Sequence, residues 1–578
     1  MAFIPEKRSL IPIAKELYMK KRILALLTAL LPLISACGAP SDPVDSPEEI
    51  LPEVPMEYAT LSSNTTMDTL YYSNNLSQNG ADPTFITVEE NGRTVYYMYV
   101  TGIRGYYSYN LTSWIEIPDA FPKPKDSWSN HSYWAPEILY DAEAGLYRLF
   151  YSAMPENDDM AYLSMAVSES PRGPFVQWTG TNADGLVIDK KTPLIDFARM
   201  DPSHPLYKGK IRAIDLYPYV DPASGDKYLY FVRNKGKNGT NTEANGTSEI
   251  WGMKMKDWAT PDYSTITRLT EVGKITVGGS KTRNQEDTIN EGPAMLYKDG
   301  TYYLTYSINF ASDKRYSVWQ ATADSPLGKF SKIPQDKGGM ILGVDGAWDY
   351  ASGTGHHNFL QVGDELYIFY HAHGLRTYTS LSDRAIAFDK LIWTENQDGQ
   401  TILHANGPTW SPQPYPTAVS GYTGIEAEAA VSASESLSGA EYLTDGIYNM
   451  HERGGRPEAE FTGTAEITLT WDDYRTVAGL SIINSTFYEK MFDSVTRIEF
   501  DCINEDGTKE IRYIDNLAYD SERYVSGEKT MEYNRPGAGI TLRLKGEPSV
   551  KEIRITMSVP AGQKSAAVSE ITVLAPVS

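Results

Sequence analysis

The sequence predicts an all-β protein: a five-bladed β-propeller followed by a β-sandwich domain of jelly-roll type. Three observations carry this prediction. One strand–turn–strand pattern recurs five times along the chain. The 40 Tyr and 11 Trp suit sheets, and aromatic faces also suit sugar rings. At 578 residues the chain exceeds a single small core, and its periodicity changes past residue 424.

The first element is a leader, read over residues 1–37. Met19-Lys20-Lys21-Arg22 precedes the apolar run "ILALLTALLPLIS", which ends in "ISAC" at Cys37. A basic stretch, a short apolar core and small residues form a secretory signal, too short for a spanning helix. Met19 is the better start. The segment resembles the lipobox of bacterial lipoproteins, which implies cleavage before Cys37 and lipidation of its thiol. A plain cleaved signal beside an accidental cysteine is the alternative. The expected location is therefore outside the cytoplasm, lipid-anchored at the bacterial cell surface or envelope. Residues 38–60, rich in Pro and acid, read as a tether. The chain has two cysteines, Cys37 and Cys502, so an acylated Cys37 leaves no disulfide and the folds stand on their cores.

The propeller is placed at 61–412. Its repeating unit is an apolar strand, a Gly- or Asp-containing turn, and a strand dense in Tyr. The copies are "DPTFITVEENGRTVYYMYV" from Asp82, "WAPEILYDAEAGLYRLFYSA" from Trp134 and "IDLYPYVDPASGDKYLYFVRN" from Ile214. Two more follow, "EGPAMLYKDGTYYLTYS" from Glu291 and "GHHNFLQVGDELYIFYHAH" from Gly355. Third-strand signals at 106–114, 164–178 and 317–330 complete several blades. A stack of sandwich domains is the alternative all-β reading.

Asp82, Glu137, Asp215, Glu291 and His356 each fall at or near the start of the first strand of a unit. In a propeller those strands line the central channel, so the five converge on one pocket. Several carboxylates beside Trp and Tyr, with no nucleotide loop, point to glycoside hydrolysis. That reaction needs one carboxylic acid to protonate the leaving oxygen and one carboxylate to activate water or attack. A third carboxylate nearby raises the acid's pKa by like-charge repulsion. The formal charge of −23 leaves no basic footprint for nucleic acid and little field for a neutral substrate to feel.

From about residue 70 to 400 the chain resembles glycoside hydrolase family 43, five-bladed propellers that act with inversion. The "GADPTF" motif implies Asp82 as general base, "AIDLYPYVD" implies Asp215 as pKa modulator, and "EGPAMLYKDGTYYLTYS" implies Glu291 as general acid. "GTGHHNF", "DELYIFYHAH" and "DRAIAFDKLIW" are similar to the family's fifth blade. The resemblance implies no cofactor for the reaction. It does imply a structural calcium ion in the channel, reached through water by His356, although a His hydrogen-bonded within the channel explains that residue equally well. Zinc on His356, His371 and His373 is a weaker reading. Trp134, Glu137, His357 and Arg384 are assigned to substrate binding. Each assignment has a plainer counterpart: a turn acid at Asp82, a solvated strand end at Asp215, pocket shaping by Glu137, a strand arginine at Arg384. Asp287, four residues before Glu291, is the residue most easily mistaken for one of the carboxylates.

A Pro- and Gly-containing linker at 413–424 leads to residues 425–578. There "YLTDGIYN" and the closing strands resemble galactose-binding-like, discoidin-type sandwiches. That implies sugar binding, against a packing domain that braces the propeller. The expectation is a monomer acting on carbohydrate and held to a bacterial membrane by its lipid. The family resemblance favours an inverting, exo-acting α-L-arabinofuranosidase, with β-xylosidase, endo-arabinanase or galactan-directed enzyme of the same fold as alternatives. A non-catalytic sugar-binding lipoprotein is the rival of another class.

Overall fold

Tight turns close the repeats. At Asn91-Gly92 both residues have positive φ, 53° and 74°, and at Asp299-Gly300 the values are 50° and 86°. These are the residue pairs that a two-residue hairpin turn demands. The computed structural model describes residues 50–62, 68–74, 77–157, 160–209, 211–234, 248–272, 289–343, 351–374, 381, 383–447, 457–519, 523–526, 529–532 and 534–577. Met19, Cys37 and Asp287 lie outside them.

Each unit folds as one antiparallel sheet whose first strand is innermost. The inner strands are Thr84–Glu90, His131–Asp141, Ala213–Val220, Asn290–Lys298 and Ala351–Val362. Each packs on the next and the fifth returns to the first, so five sheets close a ring. The segment before the first blade seals that ring against the third strand of the fifth. Gly80 N donates to the Arg384 carbonyl at 3.1 Å and Ile386 N to the Gln78 carbonyl at 2.9 Å.

The Tyr-dense second strands fill the space between blades. Tyr97, Tyr99, Tyr151, Tyr230, Tyr306, Tyr367 and Tyr370 are fully buried there. The aromatic wealth therefore serves blade packing first, where flat rings fill the gap between splayed sheets.

Past the propeller, two sheets face each other across one apolar core that includes Ile467, Ile498 and Ile553 on one side and Leu480, Ile482 and Val568 on the other. Cys502 is a free buried cysteine in this core. The linker at 413–424 pairs at both ends: Gln413–Pro414 with Tyr71–Tyr72, and Tyr422–Gly424 with Ala566–Pro576.

The expected tether needs a correction. Glu53–Pro55 pairs in parallel with Lys509–Ala518 on one sheet, and Tyr58–Leu61 pairs antiparallel with Gly539–Leu544 on the other. Met56 between them is buried in the sandwich core. Proline and acid in this stretch are compatible with short edge strands, whose outer backbone groups need no partner. Deleting residues 51–61 takes Met56 out of the core and opens both sheet edges. Differential scanning calorimetry should show the sandwich transition roughly 5–10 °C lower, with the propeller transition in place.

Candidate active site

Every inner strand is kinked at one shared register position. Asp82, Ala135, Asp215, Gly292 and His356 all have left-handed backbone, with φ of 55°, 43°, 55°, 55° and 46°. Register shifts mark the kink in the second to fifth blades, between Trp134 and Glu137, Ile214 and Tyr217, Glu291 and Ala294, and Gly355 and Asn358. Proline follows three of the five, at Pro83, Pro136 and Pro293, where an absent N–H leaves nothing unpaired. Four of the five are not glycine, and each such residue costs on the order of 1 kcal/mol of backbone strain. Strain repeated around a ring re-aims side chains into the channel.

Asp82 is held from several sides. Its Oδ1 lies 3.0 Å from Arg384 Nη1, 3.2 Å from His371 Nδ1 and 3.2 Å from His356 Nδ1. Its Oδ2 accepts from the Thr101 hydroxyl. Thr101 is itself fixed by the Ala135 N–H at 3.0 Å. Burial alone raises the Asp82 pKa, but His356, Arg384 and His371 together outweigh it and hold the carboxyl well below the ordinary range.

The other two carboxyls go the opposite way. Glu291 is pushed up to about 7, chiefly by burial; the nearby Tyr316 hydroxyl opposes that rise and the Asp82 charge adds to it. Asp215 is also pushed up to about 7 by burial, against the pull of His356 and with the repulsion of Glu291 and Asp82. Its Oδ2 accepts from the Gly292 N–H at 3.2 Å, so it is tied to the backbone beside Glu291. Gly292 is required there: its φ is positive, and a Cβ would sit 3.1 Å from the His356 ring.

The structure thus brings Asp82, Asp215, Glu291, His356 and Arg384 together and separates two other expected residues from them. Glu137 is two residues past the kink, one step deeper in the channel. Its Oε2 accepts from the Thr84 hydroxyl at 2.7 Å and Asn358 Nδ2 at 2.8 Å, and burial pushes its pKa well up. It knits three inner strands below the mouth. His357 faces away from His356, because neighbouring strand residues point to opposite faces. Its Nε2 lies 2.7 Å from the Thr305 hydroxyl, and burial lowers its pKa to about 3. Trp134 occupies in the second blade the register position that Glu291 holds in the fourth. It is half-buried, with the Arg212 guanidinium 5.4 Å from its ring centroid.

Thr101 and Tyr316 had no motif to announce them, since one lies in the turn after a second strand and the other just before a third. His371, read from the sequence only as a zinc candidate, pairs with Gly355 and reaches Asp82 instead. Among the described residues no group of three or more His, Cys, Asp or Glu is disposed to hold a metal. His356 turns Nδ1 to the aspartates, and His373 Nε2 lies 2.7 Å from the Ala311 carbonyl. Among the described residues the channel therefore offers neither a calcium cage of oxygens nor a zinc set. A water-shelled ion at His356 would rest on that one imidazole, and no step below is routed through it.

The chain has recognisable relatives among known proteins. The chain is similar to beta-D-galactofuranosidase xynD of Aspergillus niger, 34% identical over 106 residues, a match spanning 18% of this chain and 29% of that protein. Among solved structures it is similar to a thermostable family-43 glycoside hydrolase, 26% identical, covering 60% of this chain and 99% of that one, with a TM-score of 0.46. Another is an alpha-L-arabinofuranosidase from Lactobacillus brevis, 18% identical, covering 57% and 95%, with a TM-score of 0.41. Residues 73–399, more than half of the chain, match the family described as Glycosyl hydrolases family 43. The chain belongs to that family, whose enzymes hydrolyse O-glycosyl bonds.

Proposed function

We propose that the protein is an inverting, exo-acting α-L-arabinofuranosidase that trims side chains or oligosaccharides of plant polysaccharide. The observation that carries the reaction is the opposed shift of two carboxyls at one mouth: Asp82 held well below the ordinary range by His356, Arg384 and His371, Glu291 pushed up to about 7 by burial. Asp82 takes a proton from water as that water attacks the anomeric carbon. Its Oδ2, bonded to Thr101, keeps a second lone pair for this. Glu291 gives its proton to the departing sugar oxygen. Asp215 accepts from the Gly292 N–H and so holds the backbone that aims Glu291. Trp134 offers a ring face at the same mouth.

The substrate class is supported by the Aspergillus relative, named for a furanosidase. A β-D-galactofuranoside and an α-L-arabinofuranoside share the configuration of the furanose ring and differ in the exocyclic group. The sandwich as a sugar-binding module, and export with a lipid on Cys37, belong to the same proposal.

A substrate panel tests it: arabinofuranosides, xylosides, galactofuranosides and galactan and arabinan oligomers, with the first-formed anomer read by proton NMR. Arabinofuranosides should turn over fastest and release sugar of inverted configuration. Retention overturns the base role of Asp82. Galactofuranosides ahead of arabinofuranosides overturn the substrate assignment. No turnover on any arm favours a sugar-binding protein without catalysis.

A further inference from the structure

Tyr316 is wholly buried at the entry to the third strand of the fourth blade, Ser317–Ala323. Its ring lies parallel to the His371 imidazole, with centroids 5.4 Å apart and planes 11° apart. Gly355 makes room for that ring, since a Cβ there would stand 2.4 Å from Cδ1 and Cε1. A stack on one side and a missing side chain on the other fix the ring plane, and with it the direction of the hydroxyl.

That hydroxyl faces the Glu291 carboxyl and the Ser307 hydroxyl but makes no well-aligned hydrogen bond among the described residues. An unmatched buried phenol is unfavourable by about 1–3 kcal/mol, a burden phenylalanine would not carry. Ser307 supplies a polarity. Its Oγ accepts from the His356 backbone N–H at 2.8 Å, which leaves its own proton to point at Tyr316. The Tyr316 proton is then directed onward, to Glu291.

We propose that Tyr316 is a positioning residue for the general acid. Its hydroxyl donates to the carboxylate that Glu291 becomes on protonating the leaving group, and before transfer it turns the acidic O–H of Glu291 toward the channel. In that step the Glu291 O–H bond breaks, the electron pair of the anomeric C–O bond passes to the departing oxygen, and that oxygen takes the proton. Tyr316 keeps its own proton throughout. A carboxylate accepts a hydrogen bond more strongly than a carboxylic acid does. The Tyr316 bond therefore tightens as the proton leaves, which is stabilisation of the later state over the earlier.

This inference rests on Glu291 being the acid. Tyr316→Phe keeps the ring and its stack while removing the donor. For arabino-oligosaccharides, whose leaving group needs a proton, kcat should fall about 10–100-fold. For 2,4-dinitrophenyl arabinofuranoside, whose leaving group departs as an anion, the loss should stay within about threefold. The alkaline limb of the kcat profile should move to higher pH, because the carboxylate has lost a donor. Equal losses on both substrates, or an unmoved limb, overturn the proposal. Glu291→Gln run in parallel separates the two failures. If it hydrolyses oligosaccharides as the parent does, the acid assignment itself has failed. If it does not, and Tyr316→Phe is silent, only the role of Tyr316 falls.

Discussion

Asp82→Asn should lower kcat about 10³–10⁴-fold on every substrate, activated or not, with KM nearly unchanged. The base works on water, so no leaving group can compensate for its loss. Asparagine is the informative replacement because it accepts the left-handed backbone that Asp82 adopts, with φ of 55°. The kink should survive while the charge goes. Removing that charge also leaves Arg384 buried without its carboxylate, its side chain 11% exposed. Breaking such a pair from one side is destabilising. A lower melting temperature should accompany the lost turnover. Steady-state kinetics on oligosaccharide and dinitrophenyl substrates together decide the matter: a variant that recovers on the activated substrate would place Asp82 outside the water-activating role.

Glu291→Gln has the second-largest expected effect, and its signature is different. Oligosaccharide turnover should fall about 10²–10⁴-fold, and dinitrophenyl glycosides should lose far less. Its stability should rise at alkaline pH. The Glu291 pKa stands raised in the folded protein, from 4.5 to about 7. The stabilisation of its neutral form is therefore complete below pH 4.5 and is lost as pH climbs through about 7. That interval corresponds to about 3 kcal/mol. Glutamine cannot ionise, so the variant should melt with the parent at pH 4.5 and a few degrees above it at pH 8.5. The same titration sets the alkaline limb of parental activity near pH 7, while the acid limb, set by Asp82, lies below the ordinary carboxylate range. Identical melting curves at both pH values would contradict the burial argument.

The propeller was legible because its repeats are local. Turn residues, aromatic strands and a polar residue at each strand start all fall within one short window of sequence. The three carboxyls could be picked out for the same reason. What the pattern could not show is depth. Glu137 sits only two residues beyond the kink, yet that places it beneath the mouth and bonded to Thr84 and Asn358. Its blade-mates were grouped with it because the bulge that sets the register leaves no signal of its own in composition. His357 was drawn into the site by its neighbour, although adjacent strand residues face opposite ways. Thr101 and Tyr316 act from the end of a second strand and the entry to a third, where a threonine or tyrosine looks like any other sheet former. The strands Glu53–Pro55 and Tyr58–Leu61 were missed because their partners lie more than 450 residues away.

Those two strands also give the protein an order in time. The propeller can close once the chain reaches the residues near 386 that seal the ring, but Tyr58–Leu61 has no partner until Gly539–Leu544 has been made. At about 5–20 residues per second, that wait is on the order of a minute. An unpaired edge strand left open for so long invites pairing with other chains. Pro52, Glu53, Pro55 and Glu57 discourage it, since proline cannot join a ladder fully and like charges repel. The enzyme's earliest folded-domain residues are thus among its last to be placed, and the composition that made them look like spacer lets them wait unpaired.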